Sequence, residues 1–395
     1  MIRISLAWAS TVAVAAGLGA TPAAASFEAC VKNIRAEVLS AGVRPDVVNA
    51  AFKGIAFDEK AVRFSRTQPE YRTAIWDYMA FLVDDVRIAD GGKMLRRHDK
   101  TLRAVERAYG VDRYVLAALW GVESDYGQDE GDFFLPHALP NVACGGRKPG
   151  VFTAELIQAL RIVANGDVKL ADLKSSWAGA FGQTQFMPST YRRLAVDFDG
   201  DGRRDTIRSV PDALASAANF LKKAGWQSGL PWGFEVKLPS SYSGPVGRSR
   251  KAPVSAWAKK GIVRADGGAL PSSGSYGLIR PAGPKGPAFL VSRNFDVLFT
   301  YNAAEAYALA IGHLSDRLKG KGSLETAWPT DDPGLTRAQR KRLQELLIAK
   351  GFYQGEADGR VGPLTTAAIK EAQKKAGMKP TGRPGTRILN VLAGN

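Results

Sequence analysis

The spacing of apolar residues predicts a mainly helical chain. From Ser26 to about Trp226, apolar residues recur every three or four positions, as they do on the buried face of an amphipathic helix. One such stripe consists of Val115, Ala118, Leu119, Val122 and Tyr126. Helical spacing returns over residues 303–318 and again over residues 336–350. We therefore expect a mainly α fold.

Three segments depart from this helical pattern and suggest a division into domains. Residues 239–290 are rich in Pro, Gly and Ser and end in the apolar run Phe289-Leu290, which continues into Val291, so we expect a small β-type insertion there. Residues 329–333 read Pro-Thr-Asp-Asp-Pro and are typical of a linker. The division expected is a main domain over residues 26–328, the linker, and a compact unit over residues 334–395.

The first residues have the pattern of a secretory signal peptide. Arg3 precedes an apolar run over residues 4–20, and the small residues Ala23-Ala24-Ala25 form a cleavage site of the A-x-A type. A membrane-anchored start is the competing interpretation, but the run is short and contains two glycines. We expect residues 1–25 to be removed after export, leaving no stable membrane anchor.

The chain has two cysteines, Cys30 and Cys144, and both follow the expected cleavage site. An oxidising compartment would permit one disulfide that closes a long loop. Two free buried thiols are the alternative. We expect the disulfide because the predicted export places both residues outside the reducing cytosol.

The charge of the chain indicates a polyanionic partner. The formal net charge of the 395 residues is +16 at pH 7. Residues 239–290 carry eight basic residues and one acidic residue, and residues 333–395 carry twelve basic and four acidic residues. Nucleic acid, anionic lipid and bacterial cell-wall polymer all fit a basic surface. The signal peptide argues against nucleic acid.

A short helix after Asp112 carries the most informative acidic residue. Asp112 can cap its start and Gly127 can end it. Glu123 follows Leu119 by four positions, which places its carboxyl group at the edge of the apolar stripe. Desolvation there would raise the carboxyl pKa toward the range of a proton-donating acid. A structural Glu paired within the core is the alternative. Asp125 is two positions further and points to another side of the helix, so it is a poor second carboxylate for the same site.

The segment over residues 175–191 has the composition of a carbohydrate groove. It reads Ser-Ser-Trp-Ala-Gly-Ala-Phe-Gly-Gln-Thr-Gln-Phe-Met-Pro-Ser-Thr-Tyr. Glycines and small side chains let the backbone approach a ligand, the glutamines supply hydrogen-bond donors and acceptors, and aromatic residues offer flat apolar walls.

An acidic loop resembles the first half of an EF-hand calcium loop. Asp197, Asp199 and Asp201 alternate ahead of Gly202, and Asp205 or Asp212 would have to complete the ligand set. We expect a structural calcium ion, with a solvated acidic turn as the alternative. The three histidines are scattered and indicate no zinc site.

Four strings in this order resemble the lytic murein transglycosylases of the membrane-bound B type. They are Gly-Val-Glu-Ser-Asp-Tyr-Gly at 121–127, the groove segment at 175–191, Val-Asp-Phe-Asp-Gly-Asp-Gly-Arg at 196–203, and Asn-Phe at 294–295 leading to Tyr-Asn at 301–302. The resemblance extends from about Phe27 to Gly320 and implies a lysozyme-like α+β catalytic domain. Ser175 stands where that family usually has Gly, and Phe220 stands where a family tyrosine contacts sugar.

The resemblance assigns roles to individual residues. It implies that Glu123 is the catalytic acid and base. The residues that match substrate-contacting positions are Ser176, Gln185, Tyr301, Asn302, Tyr307 and Tyr78. Without the resemblance, Tyr301 and Tyr307 would be interpreted as packing residues, and Gln185 as a loop residue that forms hydrogen bonds.

The resemblance also implies the reaction. Such an enzyme cleaves the β-1,4 bond between N-acetylmuramic acid and N-acetylglucosamine in peptidoglycan and forms 1,6-anhydromuramic acid ends, with one Glu serving both steps and no cofactor required for catalysis. Two alternatives remain, a hydrolytic muramidase and a non-catalytic wall-binding protein. We expect the periplasm as the location, glycan strands as the substrate, and other cell-wall enzymes as protein partners.

Residues 334–395 resemble the small three-helix peptidoglycan-binding domain. The resemblance rests on the turn Asp358-Gly-Arg-Val-Gly-Pro-Leu-Thr365 between two helical segments. A turn that caps a helix and holds a small core together is the simpler interpretation, and both can hold. The net charge of +8 in residues 333–395 favours retention on an anionic wall.

Overall fold

The computed structural model describes residues 22–65, 73–146 and 148–394. Residues 1–21, and with them most of the expected signal peptide, lie outside the described residues. Among the helices that are described, none combines the length and the apolar character needed to cross a bilayer.

Helices form most of residues 22–328, here called the body, which confirms the expectation from the apolar spacing. In chain order they are α1 (Pro22–Ser40), α2 (Pro45–Phe52), α3 (Glu59–Ser65), α4 (Ile75–Leu82), α5 (Asp85–Arg97), α6 (Asp99–Tyr109), α7 (Arg113–Ser124), α8 (Leu135–Cys144), α9 (Pro149–Ala164), α10 (Pro188–Leu194), α11 (Val210–Lys223), α12 (Val254–Ala258), α13 (Arg293–Asn302) and α14 (Glu305–Leu318).

Helix α7 lies at the centre of the body. It is apolar on nearly every side, and each residue from Val115 to Gly121 is buried. Such a helix is stable only inside a core. Side chains of α7, α11, α13 and α14 form one hydrophobic cluster, and those of α1, α2, α8 and α9 form a second. The central position fixes the direction in which the end of α7 points.

The β-type insertion is confirmed as a five-stranded antiparallel sheet. Its strands are β3 (Gly233–Lys237), β4 (Ala252–Pro253), β5 (Val263–Arg264), β6 (Ser275–Ile279) and β7 (Ala288–Val291), in the order β4-β6-β7-β3-β5. In β7 all four residues are buried, which accounts for the continuous apolar run in the sequence. A separate hairpin pairs β1 (Phe133–Phe134) with β2 (Lys174–Ser175) and leads the chain into the groove segment.

A disulfide joins Cys30 of α1 to Cys144, the last residue of α8. It lies beside the second hydrophobic cluster, against which both cysteines pack. The bond therefore fixes α1, the first described helix of the body, to α8.

The C-terminal unit contains three helices, α15 (Arg337–Ala349), α16 (Pro363–Lys375) and α17 (Thr386–Ala393). Thr336 and Gln339 form a capping box at the start of α15, which defines where that helix begins. Leu343, Leu347, Ile369 and Ile388 are fully buried in a core of this unit alone. A separate core is what a compact domain requires.

Residues 329–333, predicted as a linker, are hydrogen-bonded to the C-terminal unit. The carboxylate of Asp332 accepts hydrogen bonds from the Arg383 side chain and the Arg387 backbone, and the Pro333 carbonyl accepts one from the Thr386 backbone. Each of these partners lies more than fifty positions along the chain, so the local composition could not reveal them. These hydrogen bonds attach residues 329–333 to the C-terminal unit.

Candidate active site

A cleft of about 1060 Å³ lies between the body and the C-terminal unit. Helix α4 contributes Tyr78, helix α7 contributes Glu123, and the start of α14 contributes Tyr307. Arg383 of the C-terminal unit also lines it. The volume is of the size that binding clefts have, and aromatic and polar side chains share its walls.

Glu123 lies in the last turn of α7 with its side chain half-buried at the cleft wall. Burial raises the pKa of its carboxyl group to about 7, and a hydrogen bond donated by the Tyr307 hydroxyl to Oε1 partly opposes that rise. Near neutral pH the group therefore exchanges between its acid and its carboxylate form. Both forms are needed by a residue that first gives and then takes a proton.

Two tyrosines support the carboxyl group. The rings of Tyr301 and Tyr307 stack with centroids 6.2 Å apart. The hydroxyl of Tyr301 donates to the Thr184 carbonyl oxygen at 2.6 Å. Desolvation by burial raises the pKa of both tyrosines well above 10, so both hydroxyls remain hydrogen-bond donors at neutral pH. The Tyr307 hydroxyl is thereby held in place against Glu123.

The groove segment is attached directly to the end of α7. The hydroxyl of Ser124 donates to the Gln183 carbonyl oxygen at 2.6 Å and accepts from the Gly127 backbone at 2.9 Å. The side chain of Gln185 donates to the Gly182 carbonyl oxygen at 3.0 Å. The orientation of Glu123 and that of the loop are therefore fixed together.

The residues that the sequence selects fall into two groups. Tyr78, Glu123, Asn302 and Tyr307 line the cleft. Ser176, Gln185 and Tyr301 are not among the lining residues: the Ser176 hydroxyl accepts from the Ala180 backbone, and Gln185 and Tyr301 donate to loop carbonyls. In this structure these three residues form hydrogen bonds within the protein.

Left-handed backbone conformations concentrate around this site. Asp125, Tyr126, Gln185 and Ala303 have φ values between +49° and +62°. Residues other than glycine adopt this region at a cost in conformational energy, and residues in this conformation are enriched at functional sites. Asp125 and Tyr126 follow α7, which carries Glu123, and Ala303 follows α13, which carries Asn302.

The cleft contains one other carboxyl group among its described lining residues, that of Asp77. Both oxygens of Asp77 accept hydrogen bonds from the Arg383 guanidinium, at 2.6 and 2.7 Å. Asp125 points away from the cleft and accepts from Arg337. Glu123 is thus the carboxyl group that is available to a ligand in the cleft.

Sequence reasoning missed part of this wall. Asp77, Trp177 and Arg383 line the cleft but were not selected. Asp77 and Trp177 adjoin the selected Tyr78 and Ser176, so a local signal for them existed. Arg383 meets Asp77 across 306 positions of sequence, and no local pattern indicates such a contact.

The acidic loop brings together three of its five candidate ligands. Carboxylate oxygens of Asp197, Asp199 and Asp212 lie within 4.8 Å of one another. Asp201 instead forms a 2.6 Å ion pair with Arg203, and Asp205 accepts from the backbone of residues 207 and 208. Of the two residues expected to complete the set, Asp212 joins Asp197 and Asp199 and Asp205 does not, while an arginine two positions away competes for Asp201.

The donor atoms of the three converging carboxylates are of the type that a hard divalent cation binds. All are oxygen donors, and oxygen is what Ca²⁺ prefers. Burial raises the pKa of Asp212, whose side chain is fully buried beside two other acidic groups. A cation at this position would remove that electrostatic penalty.

Comparisons with known proteins agree with this geometry. Residues 26–316 match the family model described as Transglycosylase SLT domain, and residues 336–392 match the model described as Putative peptidoglycan binding domain. The chain is 28% identical over 293 residues to the membrane-bound lytic murein transglycosylase B of Escherichia coli (strain K12), covering 70% of this chain and 75% of that protein.

Two solved structures are similar over most of their own length. SltB3 from Pseudomonas aeruginosa, in complex with NAG-anhNAM-pentapeptide, is 40% identical, with a TM-score of 0.75 and coverage of 93% of this chain and 99% of that one. The Escherichia coli lytic transglycosylase SLT35, in complex with calcium, is 25% identical, with a TM-score of 0.63 and coverage of 75% of this chain and 93% of that one.

Proposed function

The chain belongs to the SLT transglycosylase family and is a lytic transglycosylase of the B type that acts on peptidoglycan, and from this premise we propose that Glu123 is its single catalytic acid and base. The observation that carries the proposal is the geometry of the cleft. Glu123 has a pKa of about 7, and the other lining carboxyl group, Asp77, is fully engaged by Arg383.

The first step is protonation of the glycosidic oxygen. Glu123 in its acid form donates this proton as the bond between the N-acetylmuramic acid anomeric carbon and the departing oxygen breaks. The Tyr307 hydroxyl donates to Oε1, which leaves Oε2 to carry the proton that is transferred. The developing negative charge on Glu123 is stabilised by that same hydrogen bond.

The second step forms the anhydro ring. The carboxylate of Glu123 takes the proton of the muramic acid 6-hydroxyl while that oxygen bonds to the anomeric carbon. The proton given in the first step is thereby replaced, and the enzyme returns to its starting state. An intramolecular hydroxyl has a high effective concentration, so the reaction needs no activated water.

A hydrolytic muramidase is disfavoured by the same geometry. Glycosidases that use water generally place a second carboxylate opposite the acid, either to activate the water or to act as the nucleophile. Asp77 cannot serve in that way while both of its oxygens accept from Arg383. The single available carboxyl group supports the transglycosylase step.

Replacing Glu123 tests the assignment. Glu123→Gln keeps the shape of the side chain but cannot donate the proton, so turnover of purified sacculi should fall by roughly 10²–10⁴, the range attributed to general acid and base catalysis. Glu130→Gln is the matched control, because burial also raises the pKa of Glu130 to about 7 but that residue does not line the cleft. Near-normal turnover of Glu123→Gln would remove this residue from the mechanism.

We propose that Asp197, Asp199 and Asp212 hold a calcium ion with a structural role. The proximity of their oxygens and the calcium complex of SLT35 support this. Calcium should raise the thermal unfolding midpoint of the wild type and of the control Asp201→Asn, whose original side chain is turned toward Arg203. It should not raise the midpoint of Asp199→Asn. Equal midpoints of the wild type in calcium and in chelator would contradict the proposal.

We also propose that the protein acts in the periplasm after removal of residues 1–25, and that the C-terminal unit retains it on the wall. The signal-like sequence and the peptidoglycan-binding match over residues 336–392 support these assignments. Amino-terminal sequencing of protein from the periplasm should begin at Ser26. A chain that retains Met1 in the membrane fraction would show that the segment is an anchor.

A further inference from the structure

Charged side chains of the C-terminal unit form ion pairs with buried acidic side chains of the body. Arg340 lies 3.6 Å from Asp84, the residue that caps α5. Arg87 lies 3.6 Å from Asp125, and Arg337 donates to the other oxygen of Asp125 at 2.9 Å. Two of the three arginines therefore come from α15 of the C-terminal unit, and both aspartates come from the body.

The burial of this network makes each partner costly to lose. The side chains of Asp84 and Asp125 are 0% and 6% exposed, and those of Arg87 and Arg340 are 5% and 4% exposed. Without α15, Asp84 would lose its ion pair with Arg340, and Asp125 would lose the one with Arg337. A buried charge that loses its partner is strongly destabilising, far more than an exposed one.

Asp125 connects this network to the catalytic helix. It is the C-cap of α7, two positions after Glu123, and adopts the left-handed conformation with φ of +51°. Its backbone N–H donates to the Gly121 carbonyl oxygen at 3.1 Å, so its position determines how the last turn of α7 ends. Arg337 and Arg87 hold its carboxylate from two sides.

We propose that Arg337 of the C-terminal unit is a positioning residue for the catalytic step, acting through Asp125 on the last turn of α7. The inference rests on the proposed role of Glu123. The wall-binding unit thus has a second role, because its docking holds the acid in the orientation that proton transfer requires. A small displacement of a catalytic group is enough to cost a large factor in rate.

The test measures kcat and KM of the full-length protein on soluble glycan fragments, so that attachment to intact wall does not enter. Arg337→Met removes the charge and keeps the length of the side chain. Arg342→Met is the matched control, since Arg342 lies on the same helix, is exposed and pairs with the exposed Glu345. We expect kcat of Arg337→Met to be about tenfold lower with KM within about twofold, and Arg342→Met to match the wild type.

A double-mutant cycle shows whether the effect passes through Asp125. Asn is tolerated in the left-handed conformation, so Asp125→Asn removes the charge without forcing the backbone to change. If Arg337 acts through Asp125, the double variant should have a kcat within about twofold of the lower single variant. Multiplicative losses in the double variant would overturn the proposal.

The remaining outcomes are also decisive. Equal kcat for Arg337→Met and Arg342→Met would overturn the inference, even if the unfolding midpoint of Arg337→Met were lower, because the contact would then be structural only. A loss expressed only in KM would overturn it as well. If Arg337→Met fails to fold, Arg337→Gln provides the same comparison. Retained turnover in Glu123→Gln would refute the proposed acid instead, and is measured independently.

Discussion

Burial sets the acid strength of Glu123, and with it the pH range that the proposed mechanism predicts for the enzyme. The pKa is raised to about 7, chiefly by desolvation. The first step needs the protonated form, whose fraction falls as the pH rises. We expect kcat/KM on soluble fragments to decline above pH 7 and to approach about a tenfold loss per pH unit. A profile that stays flat to pH 9 would show that Glu123 does not supply the proton.

The Tyr307 hydroxyl opposes the effect of burial, so removing it should shift the profile. In the wild type, the hydrogen bond from the Tyr307 hydroxyl to Oε1 lowers the pKa of Glu123. Tyr307→Phe removes this hydrogen bond. The alkaline limb of kcat/KM should therefore move to higher pH, while the maximal rate falls because the carboxylate is less stabilised. Tyr242→Phe, in the insertion, is the control, since the Tyr242 hydroxyl donates to the Pro245 carbonyl oxygen and Tyr242 does not line the cleft. A shift to lower pH in Tyr307→Phe would contradict the account.

Among the elements, α7 shows how far local sequence determines structure. The cap at Asp112 and the apolar stripe predict the helix, and the structure begins it at Arg113. It ends at Ser124, three residues before the glycine that was expected to stop it, because Asp125 and Tyr126 already adopt left-handed conformations. The Asp125 carboxylate pairs with Arg87 and Arg337, and sequence spacing does not reveal these contacts.

The disulfide connects two elements that are otherwise joined through packing. Replacing both Cys30 and Cys144 by Ser should lower the free energy of unfolding by about 2–4 kcal/mol, since a long loop in the unfolded chain is no longer closed. Urea denaturation of the oxidised wild type and of the double variant gives the difference. Equal unfolding free energies would show that the bond adds nothing to stability. Neither cysteine lines the cleft, so turnover of the folded variant should be unchanged.

At the scale of the whole molecule, composition and motifs predicted the parts but not their assembly. The helical body, the β-type insertion and the helical C-terminal unit were all expected, and the lysozyme-like fold is confirmed by the relatives. The charge of the C-terminal unit was expected to face the wall. Of its basic residues, Arg337, Arg340 and Arg383 face acidic residues of the body. Net charge cannot distinguish an external partner from an internal one.

Removing the C-terminal unit should therefore do more than weaken attachment to the wall. A chain that ends at Thr330 loses the ion pairs of Asp84 with Arg340 and of Asp125 with Arg337, so its thermal unfolding midpoint should be lower than that of the full-length protein. Pelleting with sacculi across a salt series should show weaker and less salt-sensitive binding. An unchanged midpoint would mean that the docking contributes nothing to the stability of the body.

The mass of the cleavage products tests the central claim most directly. Purified sacculi are digested with the wild type and with Glu123→Gln, and the released glycan ends are measured by mass spectrometry. A single acid and base acting on the 6-hydroxyl predicts 1,6-anhydro ends, lighter than hydrolysed ends by one water, and predicts their near disappearance with Glu123→Gln. Hydrated ends from the wild type, or undiminished anhydro ends from Glu123→Gln, would contradict it.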